Sequence, residues 1–582
     1  MSRLAVAWTA HTGELAGGEG PTPSRPVEGF QCRPVLAGDL LVITTPTSKV
    51  IALDAETGAE RWRFDPFAGH RRTCEFPHRG VSLWEGATAA ERTLFSGTCD
   101  GRLVALDPKT GRLRTDFATG GVLDLRPGVD AREGEAYGVT SPPALYRDLV
   151  IVGARAPEAT PRGPSGDVRA FDARSGRLVW TFHAVPRPNE TGHDTWPADG
   201  WQRRTGVNVW SEMSVDETRG LVFLPIGSAS YDFYGGDRTG ANLFSSSLVA
   251  LDARTGERRW HFQLVHHDLW DYDPPAQPIL VDITRGGQTI PVVVQLTKMG
   301  LVFVFDRRSG EPVFGVEERD VPRSTVPGES SSPTQPFPRK PAPVVRTRAI
   351  TRADLTEVTP ESQKECAALF DQLTSGGLYS PSGSTTAVSF PGTMGGFTWS
   401  GGAVDLARGI LFANTNELGA VHRIEPAPPG SALPYRRNSP WGEYARFWDS
   451  KRLPCQRPPW GVLHALDLAN GEIVWQVPLG KAPQLEGRGI AGTGTPNIGG
   501  AIATASGLVF IAASNDARIR AHDVKAGRVL WEAPLPASGH ATPLTYRSPK
   551  SGRQFVVIAA GGGGRFSSTV SDAVVAFALP RR

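Results

Sequence analysis

Residues 247–260 read Ser-Leu-Val-Ala-Leu-Asp-Ala-Arg-Thr-Gly-Glu-Arg-Arg-Trp, and this stretch decides the fold because versions of it recur along the chain. An alternating apolar run enters an Asp-x-x-Thr-Gly turn, and a second strand that carries Trp leaves it. The Asp side chain can accept hydrogen bonds from turn amides, and Gly tolerates the positive φ that the reversal needs. Each copy therefore predicts a β-hairpin. Further copies, some weaker, begin at Asp54, Asp107, Asp172, Asp306, Asp467 and Asp523.

The repeat predicts a ring of similar sheets. Where the Trp is present it lies eight residues after the Asp, so we expect it to pack at the same place between neighbouring sheets. Seven copies are visible, and a strand-like stretch at residues 402–414 leaves room for one more sheet. The fold class we predict is an all-β, eight-bladed β-propeller, with seven blades as the fallback.

One domain is expected over residues 1–582, because no linker separates the repeats. Loop insertions are expected at about 318–400 and 425–460. Helical composition is confined to residues 354–373, which belong to the first insertion.

Charge and hydropathy exclude several classes of partner. The net charge is +3, and acidic and basic residues are mixed along the whole length, so nucleic acid is not an expected partner. No apolar run is long enough for a transmembrane segment. Residues 1–20 lack the order of an export signal, so none is expected in the chain as given. Residues 6–15 are instead typical of the closing strand of a blade.

The cysteines allow two interpretations. Cys74 with Cys99, and Cys366 with Cys455, can form disulfides, whereas buried free thiols fit the sequence equally well. No Cys-x-x-Cys-His occurs, which excludes covalent c-type haem, and no His-Glu-x-x-His occurs, which excludes a zincin site.

Residues 266–273 concentrate titratable groups just after a repeat, reading His-His-Asp-Leu-Trp-Asp-Tyr-Asp. Packing needs no such density of carboxylates and imidazoles, and segments between propeller strands line a face or the central channel, where ligands bind. The alternative is a hydrogen-bonded turn with solvated acids. Residue chemistry alone leaves the two interpretations about equal.

The chain resembles the quinoprotein dehydrogenases, which depend on pyrroloquinoline quinone (PQQ), and most of all their glucose, polyol and quinate branch. The acidic motif that ends at Asp271, followed at a distance by Lys298, discriminates this family far better than the repeat does. Some alcohol dehydrogenase-like features are also present. The segments that carry the resemblance are residues 79–84, 140–143, 208–210, 221–225, 247–252, 265–271, 274–278, 298–310 and 559–580.

The resemblance implies catalytic roles for two residues. Asp271 matches the family's catalytic base, which takes the proton from the substrate hydroxyl. Lys298 matches the basic residue beside the quinone oxygens, where a cation is needed because negative charge develops there. The alternative for Lys298 is a solvated loop lysine.

The resemblance also implies cofactor contacts. Trp210 matches the aromatic residue on which the flat PQQ ring stacks, with a purely structural Trp as the alternative. Arg79 and Thr140 match residues that bind the PQQ carboxylates, for which a bidentate Arg is well suited. Asn414 matches an Asn near the cofactor, and Asn416 is close enough to replace it.

A metal ion completes the implied site. Glu158 resembles the family's carboxylate ligand for calcium, and Asp271 would bind the same ion; a surface acid is the alternative for Glu158. Ser228 stands where many relatives have Asn, and Asp273 resembles an acid found in lanthanide-using alcohol dehydrogenases and in the glucose branch. Oxygen ligands suit Ca²⁺, and a lanthanide or Mg²⁺ is the alternative.

The function implied is a PQQ-dependent dehydrogenase that oxidises an alcohol, polyol or sugar hydroxyl to a carbonyl. With no haem motif, electrons are expected to pass to a separate acceptor, ubiquinone or a cytochrome c. The resemblance implies a periplasmic location, while the missing signal leaves a truncated or cytoplasmic chain as the alternative. A non-catalytic propeller that serves as a scaffold for protein assembly is the competing function.

Overall fold

The computed structural model describes residues 3–15, 29–69, 77–485, 487–564, 566–567 and 569–580. Strand β1 (Ala5–His11) precedes a series of antiparallel sheets. The first sheet holds β2 (Val35–Ala37), β3 (Leu40–Thr44), β4 (Val50–Asp54) and β5 (Glu60–Phe64). The second holds β6 (Ser82–Trp84), β7 (Thr93–Gly97), β8 (Arg102–Leu106) and β9 (Val122–Asp124). The third holds β10 (Ala144–Tyr146), β11 (Leu149–Val152), β12 (Val168–Asp172) and β13 (Leu178–Phe182).

The middle of the chain continues the series. The fourth sheet holds β14 (Ser214–Asp216), β15 (Leu221–Ile226), β16 (Ser247–Asp252) and β17 (Arg258–Gln263). The fifth has three described strands, β18 (Ile279–Arg285), β19 (Gln288–Leu296) and β20 (Val302–Asp306). A first inserted segment then contains β21 (Val316–Asp320), β22 (Thr334–Pro338), α1 (Pro360–Phe370), β23 (Thr374–Ser375) and β24 (Ala387–Ser389).

Three further sheets follow. The sixth combines β25 (Gly402–Asp405) and β26 (Ile410–Asn416) with β29 (Gly461–Asp467) and β30 (Glu472–Pro478), and β27 (Ala420–Pro426) and β28 (Tyr435–Asn438) lie between them in sequence. The seventh holds β31 (Ala501–Thr504), β32 (Leu508–Ile511), β33 (Arg518–Asp523) and β34 (Val529–Pro534). The eighth holds β35 (Leu544–Arg547), β36 (Gln554–Gly562) and β37 (Val570–Ala578), and β1 completes it. Short 3-10 turns occur at His193–Thr195, Arg352–Asp354 and Pro483–Leu485.

The all-β propeller prediction is confirmed, because first strands of successive sheets contact one another and the core lies between neighbouring sheets. The fourth and fifth sheets, for example, meet through Trp260 and Phe305, whose ring centroids are 6.0 Å apart. The blade count stays a prediction, which the eight successive sheets of the described residues match in number.

The repeat acts as expected in its turn. In the copy at residues 252–260, Asp252 Oδ1 accepts hydrogen bonds from the amides of Arg254 (2.9 Å) and Thr255 (3.0 Å), and Gly256 has φ +76°. A Cβ on Gly256 would lie 2.7 Å from the indole of Trp180, the repeat Trp of the previous sheet. Trp180 Nε1 donates to the carbonyl of Ala253 (3.2 Å). The Trp therefore packs between neighbouring sheets, as predicted.

Two copies do not form the complete hairpin that the repeat predicts. The outgoing strand of the Asp107 copy is displaced to β9, and after Asp306 the described residues contain only an isolated bridge from Phe305 to Pro312. Both copies lack the Trp eight residues after the Asp. Phenylalanines take the place of the Trp: a Cβ on the turn glycine Gly176 would lie 3.3 Å from Phe117, and one on Gly471 would lie 3.1 Å from Phe314.

The expected position of an additional blade was also wrong. Residues 402–414 belong to β25 and β26, which join the sheet that already carries the Asp467 repeat. The eighth sheet forms instead where β1 pairs with β37, with Ala5 opposite Ala578. The prediction of a closing strand near residues 6–15 is thereby confirmed.

The two inserted segments form small sheets of their own, β21 with β22 and β23–β24–β27–β28. Helix α1 starts where Thr359 Oγ1 accepts from the Ser362 amide (3.1 Å) and Pro360 occupies the first turn. We propose that these segments are insertions into a single domain, close to the predicted 318–400 and 425–460.

A disulfide joins Cys366 to Cys455 across the two insertions, and Cys32 is a buried free thiol. Cys74 lies outside the described residues, so the Cys74–Cys99 pair stays a prediction. Among the helices of the described residues, none has both the length and the apolar character that crossing a membrane requires.

Candidate active site

A cavity of about 570 Å³ lies where the segments that lead into the first strands of the sheets converge. Its volume is in the range of small-molecule sites. Every one of the eight sheets contributes a lining residue that lies three to six positions before its first strand. In sheet order these residues are Gln31, Arg79, Thr140, Trp210, Asp273, Trp399, Ile498 and His540.

The acidic loop between β17 and β18 is organised by Asp268. This buried carboxylate accepts hydrogen bonds from the amides of Trp270 (2.9 Å) and Tyr272 (3.0 Å) and from Ser246 Oγ (2.8 Å). The resulting turn gives Asp271 a φ of +60°, and Asp271 lines the cavity. Asp268 therefore shapes the loop, and Asp271 is the carboxylate that the loop presents.

The two histidines of the same loop are outside the cavity lining. His266 bonds Gln263 (2.8 Å) and Glu318 (3.1 Å) through its two ring nitrogens. His267 Nδ1 bonds the carbonyl of Gly240 (2.8 Å), and burial lowers the pKa of His267 to about 3, so its ring is neutral. The hydrogen-bonded-turn interpretation describes these two residues.

Lys298 lies between the two remaining acids. Its Nζ donates to Asp271 Oδ1 (2.6 Å) and is 2.5 Å from Asp273 Oδ1. Trp210 Nε1 donates to the other oxygen of Asp273 (2.6 Å). The Asp273 side chain is only 4% exposed, whereas that of Asp271 is 22% exposed. Asp271 is therefore the acid of this pair that a ligand in the cavity can reach.

The pKa values of Asp271 and Lys298 are both raised by their surroundings. Burial raises the pKa of Asp271 well above its usual range, Lys298 opposes that rise, and the carboxylates of Asp273 and Glu158 reinforce it. Burial alone would lower the pKa of Lys298, but the two aspartates outweigh burial and raise it above the ordinary value. Lys298 therefore carries its positive charge at neutral pH.

A second wall of the cavity is aromatic and cationic. The Arg79 guanidinium lies between two indoles, 5.2 Å from the Trp210 ring centroid and 5.1 Å from that of Trp399. Arg79 Nη1 also donates to Thr140 Oγ1 (3.2 Å). Ser141 Oγ donates to the Trp210 carbonyl (2.7 Å), which Thr140 contacts at 3.3 Å. The predicted residues Arg79, Thr140 and Trp210 therefore form one contact group.

Four buried polar atoms of uncharged lining residues have no hydrogen-bond partner within the described part of the chain. They are Gln31 Oε1, Thr393 Oγ1, Trp399 Nε1 and His540 Nε2. Burial lowers the pKa of His540 to about 4, so this ring is neutral. Buried polar atoms without partners cost free energy, and a polar ligand would relieve that cost. The lining thus fits a flat group with several oxygens and nitrogens, such as PQQ.

The predicted metal ligands are only partly together. Glu158 lines the cavity and pairs with Arg155 (3.5 Å), while Ser228 is outside the lining, where its Oγ donates to Asp232 (3.0 Å). No group of three or more His, Cys, Asp or Glu side chains in the described ranges is arranged to hold a metal ion. The oxygen donors nevertheless suit a hard cation. The metal-binding roles of Glu158, Ser228, Asp271 and Asp273 stay predictions.

Asn414 lies behind the cavity wall. Its Nδ2 donates to Asn497 Oδ1 (2.7 Å) and to the Gly499 carbonyl (3.1 Å), on either side of the lining residue Ile498. Asn416 bonds Asn497 in the same network, with its Nδ2 2.9 Å from the Asn497 carbonyl. Direct cofactor contact by Asn414 therefore stays a prediction.

Sequence reasoning missed several residues of the site. Asp232 is buried, and burial together with Asp271, Glu158 and Asp273 raises its pKa well above the usual range. Trp399, His540 and Tyr444 line the cavity. Trp399 and His540 follow a rule that was available, because they lie three and four residues before a first strand, close to the four residues of Trp210. Asp232 and Tyr444 follow no repeat.

Comparison with known proteins identifies the family of the chain. The family model described as "PQQ: Glucose/ethanol/alcohol dehydrogenase, beta-propeller domain" matches residues 1–556. The chain is 35% identical over 625 residues to the quinoprotein glucose dehydrogenase of Escherichia coli (strain K12), covering 100% of this chain and 76% of that protein. It is 33% identical over 633 residues to the quinate/shikimate dehydrogenase (quinone) of Acinetobacter baylyi, with the same coverage of 100% and 76%.

A solved structure agrees with the fold. The quinohemoprotein alcohol dehydrogenase from Comamonas testosteroni aligns with a TM-score of 0.70 at 24% identity, covering 100% of this chain and 77% of that one. These relatives are catalytic dehydrogenases, which sets aside the expectation of a scaffold. The chain therefore belongs to the PQQ-dependent glucose, ethanol and alcohol dehydrogenase family and is an oxidoreductase that acts on CH–OH groups.

Proposed function

We propose that this dehydrogenase oxidises the hydroxyl of an alcohol, polyol or sugar to a carbonyl at the cavity beside Asp271. The observation that carries the proposal is the open carboxylate of Asp271 with the buried Lys298 ammonium 2.6 Å away. When bound, PQQ supplies the two-electron acceptor, and a hard cation beside it polarises one of its carbonyls.

Asp271 is the proposed general base. Its Oδ1 is held by Lys298, and its exposed fraction of 22% leaves room for a substrate hydroxyl at the other oxygen. A base held by one hydrogen bond keeps its orientation while it accepts the proton. The raised pKa of Asp271 makes its protonated form easier to reach when it takes that proton.

Lys298 is the proposed electrostatic partner. A cation fixed beside the reacting atoms stabilises negative charge that develops during the reaction, because the buried site contains little water to do so. Asp273 holds Lys298 in place and is itself held by Trp210 Nε1 at 2.6 Å.

The proposed cofactor-binding residues are Arg79, Thr140, Trp210, Lys298 and Asn414. The contact group of Arg79, Thr140 and Trp210 supports this assignment, as do the unpartnered atoms of Thr393, Trp399 and His540.

The proposed metal ligands are Glu158, Asp271, Ser228 and Asp273, with Asp232 as an additional candidate. Ca²⁺ is the proposed ion, and a lanthanide or Mg²⁺ is the alternative. Support comes from the excess of negative charge, because the burial-raised pKa of Asp232 rises further under the influence of three other carboxylates. A bound cation would offset that repulsion.

Ubiquinone or a cytochrome c is the proposed electron acceptor, and the periplasm is the proposed location. Both proposals rest on similarity to bacterial quinoprotein dehydrogenases. Assays with a membrane-associated quinone and with a small cytochrome distinguish the two proposed acceptors.

The test combines turnover with a binding measurement. The purified chain is mixed with PQQ and with Ca²⁺, Mg²⁺ or La³⁺, and dye reduction is followed with glucose, glycerol, quinate and simple alcohols. We expect PQQ-dependent reduction with at least one of them. Quenching of tryptophan fluorescence reports PQQ binding independently, because Trp210 and Trp399 line the cavity. Absence of both signals with every metal would overturn the proposal.

A further inference from the structure

Arg437 is a buried cation with no hydrogen-bond or ion-pair partner for its guanidinium among the described residues. It lies on β28, and only 2% of the residue is exposed. Within the described ranges, none of its three guanidinium nitrogens has a hydrogen-bond partner. No carboxylate of the described residues lies within ion-pair distance of it. A buried charge of this kind costs several kcal/mol unless an anion and hydrogen-bond acceptors compensate it.

Other fully buried arginines of the chain are compensated. Arg204 Nη1 contacts Asp237 Oδ2 at 2.9 Å and the Ser230 carbonyl at 3.0 Å. Arg238 donates to Asn242 Oδ1 (2.9 Å) and to the Asp268 carbonyl (2.6 Å). The comparison shows that burial of an arginine in this fold does not by itself leave the guanidinium bare.

The described residues around Arg437 contact its guanidinium and its backbone but accept no hydrogen bond from the guanidinium. Its guanidinium carbon is 4.4 Å from the Phe233 ring centroid and 5.5 Å from that of Tyr444. Its backbone amide donates to Tyr231 Oη (2.8 Å). Aromatic faces attract the cation but accept no conventional hydrogen bonds, so the planar fork stays available for a bidentate ligand.

Arg437 lies on the Asp271 side of the cavity. Tyr444, whose ring it contacts, lines the cavity together with Asp271 and Lys298. Asp271 and Tyr444 are also among the groups whose charges act on Arg437. Arg79 and Thr140, the proposed ligands of the PQQ carboxylates, contact each other and Trp210 at another wall. Tyr444, which is 44% exposed, therefore lies both on the cavity and against Arg437.

We propose that Arg437 binds a carboxylate of the substrate, and that the preferred substrates are therefore hydroxy acids rather than neutral sugars. The inference rests on the proposed function, since it names the substrate class of the same site. Arg437 would anchor the carboxylate behind Tyr444, and a hydroxyl elsewhere on the substrate would reach Asp271. A guanidinium suits this task because it pairs with both carboxylate oxygens at once.

The first experiment compares substrates that differ only in charge. The PQQ-loaded enzyme is assayed with quinate and with quinamide, its neutral amide. We expect kcat/KM to be about 100-fold higher for the acid, the range typical of a buried charged contact. Equal values for the two compounds would overturn the inference.

The second experiment removes the guanidinium. In Arg437→Met we expect the acid-to-amide ratio of kcat/KM to fall about 100-fold, mainly through KM, and Arg437→Lys to recover part of it. Arg204→Met is the matched control, because it removes an equally buried arginine that has protein partners. The control should lower stability and leave the ratio unchanged. An unchanged ratio in Arg437→Met would contradict the proposal.

A third measurement needs no turnover. Cyclohexanecarboxylate has no oxidisable hydroxyl, and we expect it to raise the melting temperature of the PQQ-loaded enzyme, whereas cyclohexanecarboxamide should not. The rise should disappear in Arg437→Met. This arm separates the two proposals, because a carboxylate-specific shift supports the Arg437 site even if no substrate is oxidised.

PQQ is the other molecule at this site that carries carboxylates. The PQQ affinity of Arg437→Met distinguishes cofactor binding by Arg437 from substrate binding. If Arg437→Met weakens PQQ binding and leaves the acid-to-amide ratio unchanged, the guanidinium binds the cofactor and the substrate inference is wrong. If the variant does not fold, the quinate and cyclohexane comparisons on the unmodified enzyme still decide the question.

Discussion

Aspartates occur both in the repeat turns and in the cavity, but the two sets lie in opposite electrostatic surroundings. At Asp252, burial opposes ionisation, but a hydrogen bond from Arg259 (2.7 Å) and the amides of Thr255 and Arg254 outweigh it and lower the pKa. At Asp271, burial and nearby carboxylates raise the pKa in spite of Lys298. A carboxylate whose acceptor sites are satisfied locally stabilises a turn, while one held among like charges is poised for chemistry.

The comparison also separates two parts of every sheet. The turns lie between outer strands and repeat one motif, whereas the segments before the first strands carry residues of differing chemistry. The same frame can therefore surround a cavity whose eight contributions comprise seven residue types, since only Trp occurs twice, at Trp210 and Trp399. What distinguishes this chain from another propeller is confined to those lead-in segments and the loops near them.

The same substitution in the two regions should give the largest contrast. We expect Asp271→Asn to lower kcat by about 10³-fold or more, because an amide cannot accept the proton. Asp252→Asn keeps the turn acceptor and loses only an exposed ion pair, so kcat should not change. Steady-state kinetics and melting temperature measure both variants. Comparable losses of activity in the two would remove the distinction drawn here.

Removal of the two lysines that pair with aspartates gives a second contrast. We expect Lys298→Met to lower kcat about 10²-fold, since the fixed charge beside the reacting atoms is lost. Lys550 contacts Asp54 at 2.6 Å in a repeat turn, and its side chain is 43% exposed. Lys550→Met should therefore alter stability by less than about 1 kcal/mol and leave kcat unchanged. If Lys298→Met loses only stability, Lys298 is structural.

A glycine of the frame should affect stability alone. Gly256→Ala places a Cβ 2.7 Å from Trp180 at φ +76°, and we expect the free energy of unfolding to fall by about 2–3 kcal/mol. Gly286 has φ +56° in the β18–β19 hairpin and nothing within 4 Å, so Gly286→Ala shows the cost of the backbone conformation alone. Equal losses in a denaturant titration would mean that the contact with the Trp contributes nothing.

The last prediction is a pH dependence of stability. Burial lowers the pKa of His464 to about 3, and both its ring nitrogens are hydrogen-bonded, to Thr415 (2.6 Å) and Gln476 (2.9 Å). The unfolded chain takes up this proton first, so stability is complete above pH 6.5 and falls by about 1.4 kcal/mol per pH unit as the pH drops toward 3. His464→Gln should reduce that slope in denaturant titrations between pH 7.5 and 5. An unchanged slope would contradict the assignment.

The turn aspartates lose their stabilising charge in a lower pH range. Their lowered pKa values mean that their contribution is present above the ordinary Asp value near 4 and is lost only as the pH falls through the folded pKa. Loss of stability between pH 6.5 and 4 therefore reports buried histidines, and below pH 4 the turns add to the loss that continues from histidines with a pKa near 3.

The frame was largely predictable because its signals are local. Asp, Gly and Trp act within one hairpin and its neighbour, so a short motif suffices to identify them. The eighth sheet was misplaced because β1 and β37 are brought together by closure of the whole ring, which no local pattern records. The copies at Asp107 and Asp306 depart from the hairpin, and in both a Phe instead of the Trp lies against the turn of the next sheet.

The site was predictable only in part because its side chains contact residues that are distant in the sequence. The loop at residues 266–273 drew attention as a cluster, but its sequence did not separate the shaping role of Asp268 from the open carboxylate of Asp271. Resemblance to a family supplied Arg79, Thr140, Trp210 and Lys298. The bare guanidinium of Arg437 had no signal, since an arginine with a partner and one without are identical in sequence.

Closure of the ring by β1 has a consequence for synthesis. The ribosome makes β1 long before its partner β37. The hydrogen bonds from Trp531 Nε1 to the Leu4 carbonyl and from Tyr546 Oη to the Ala55 carbonyl likewise join late residues to early ones. The cavity wall therefore stays incomplete until the segment that carries His540 has been made. We expect PQQ to bind only after that segment has been made and β1 has paired with β37.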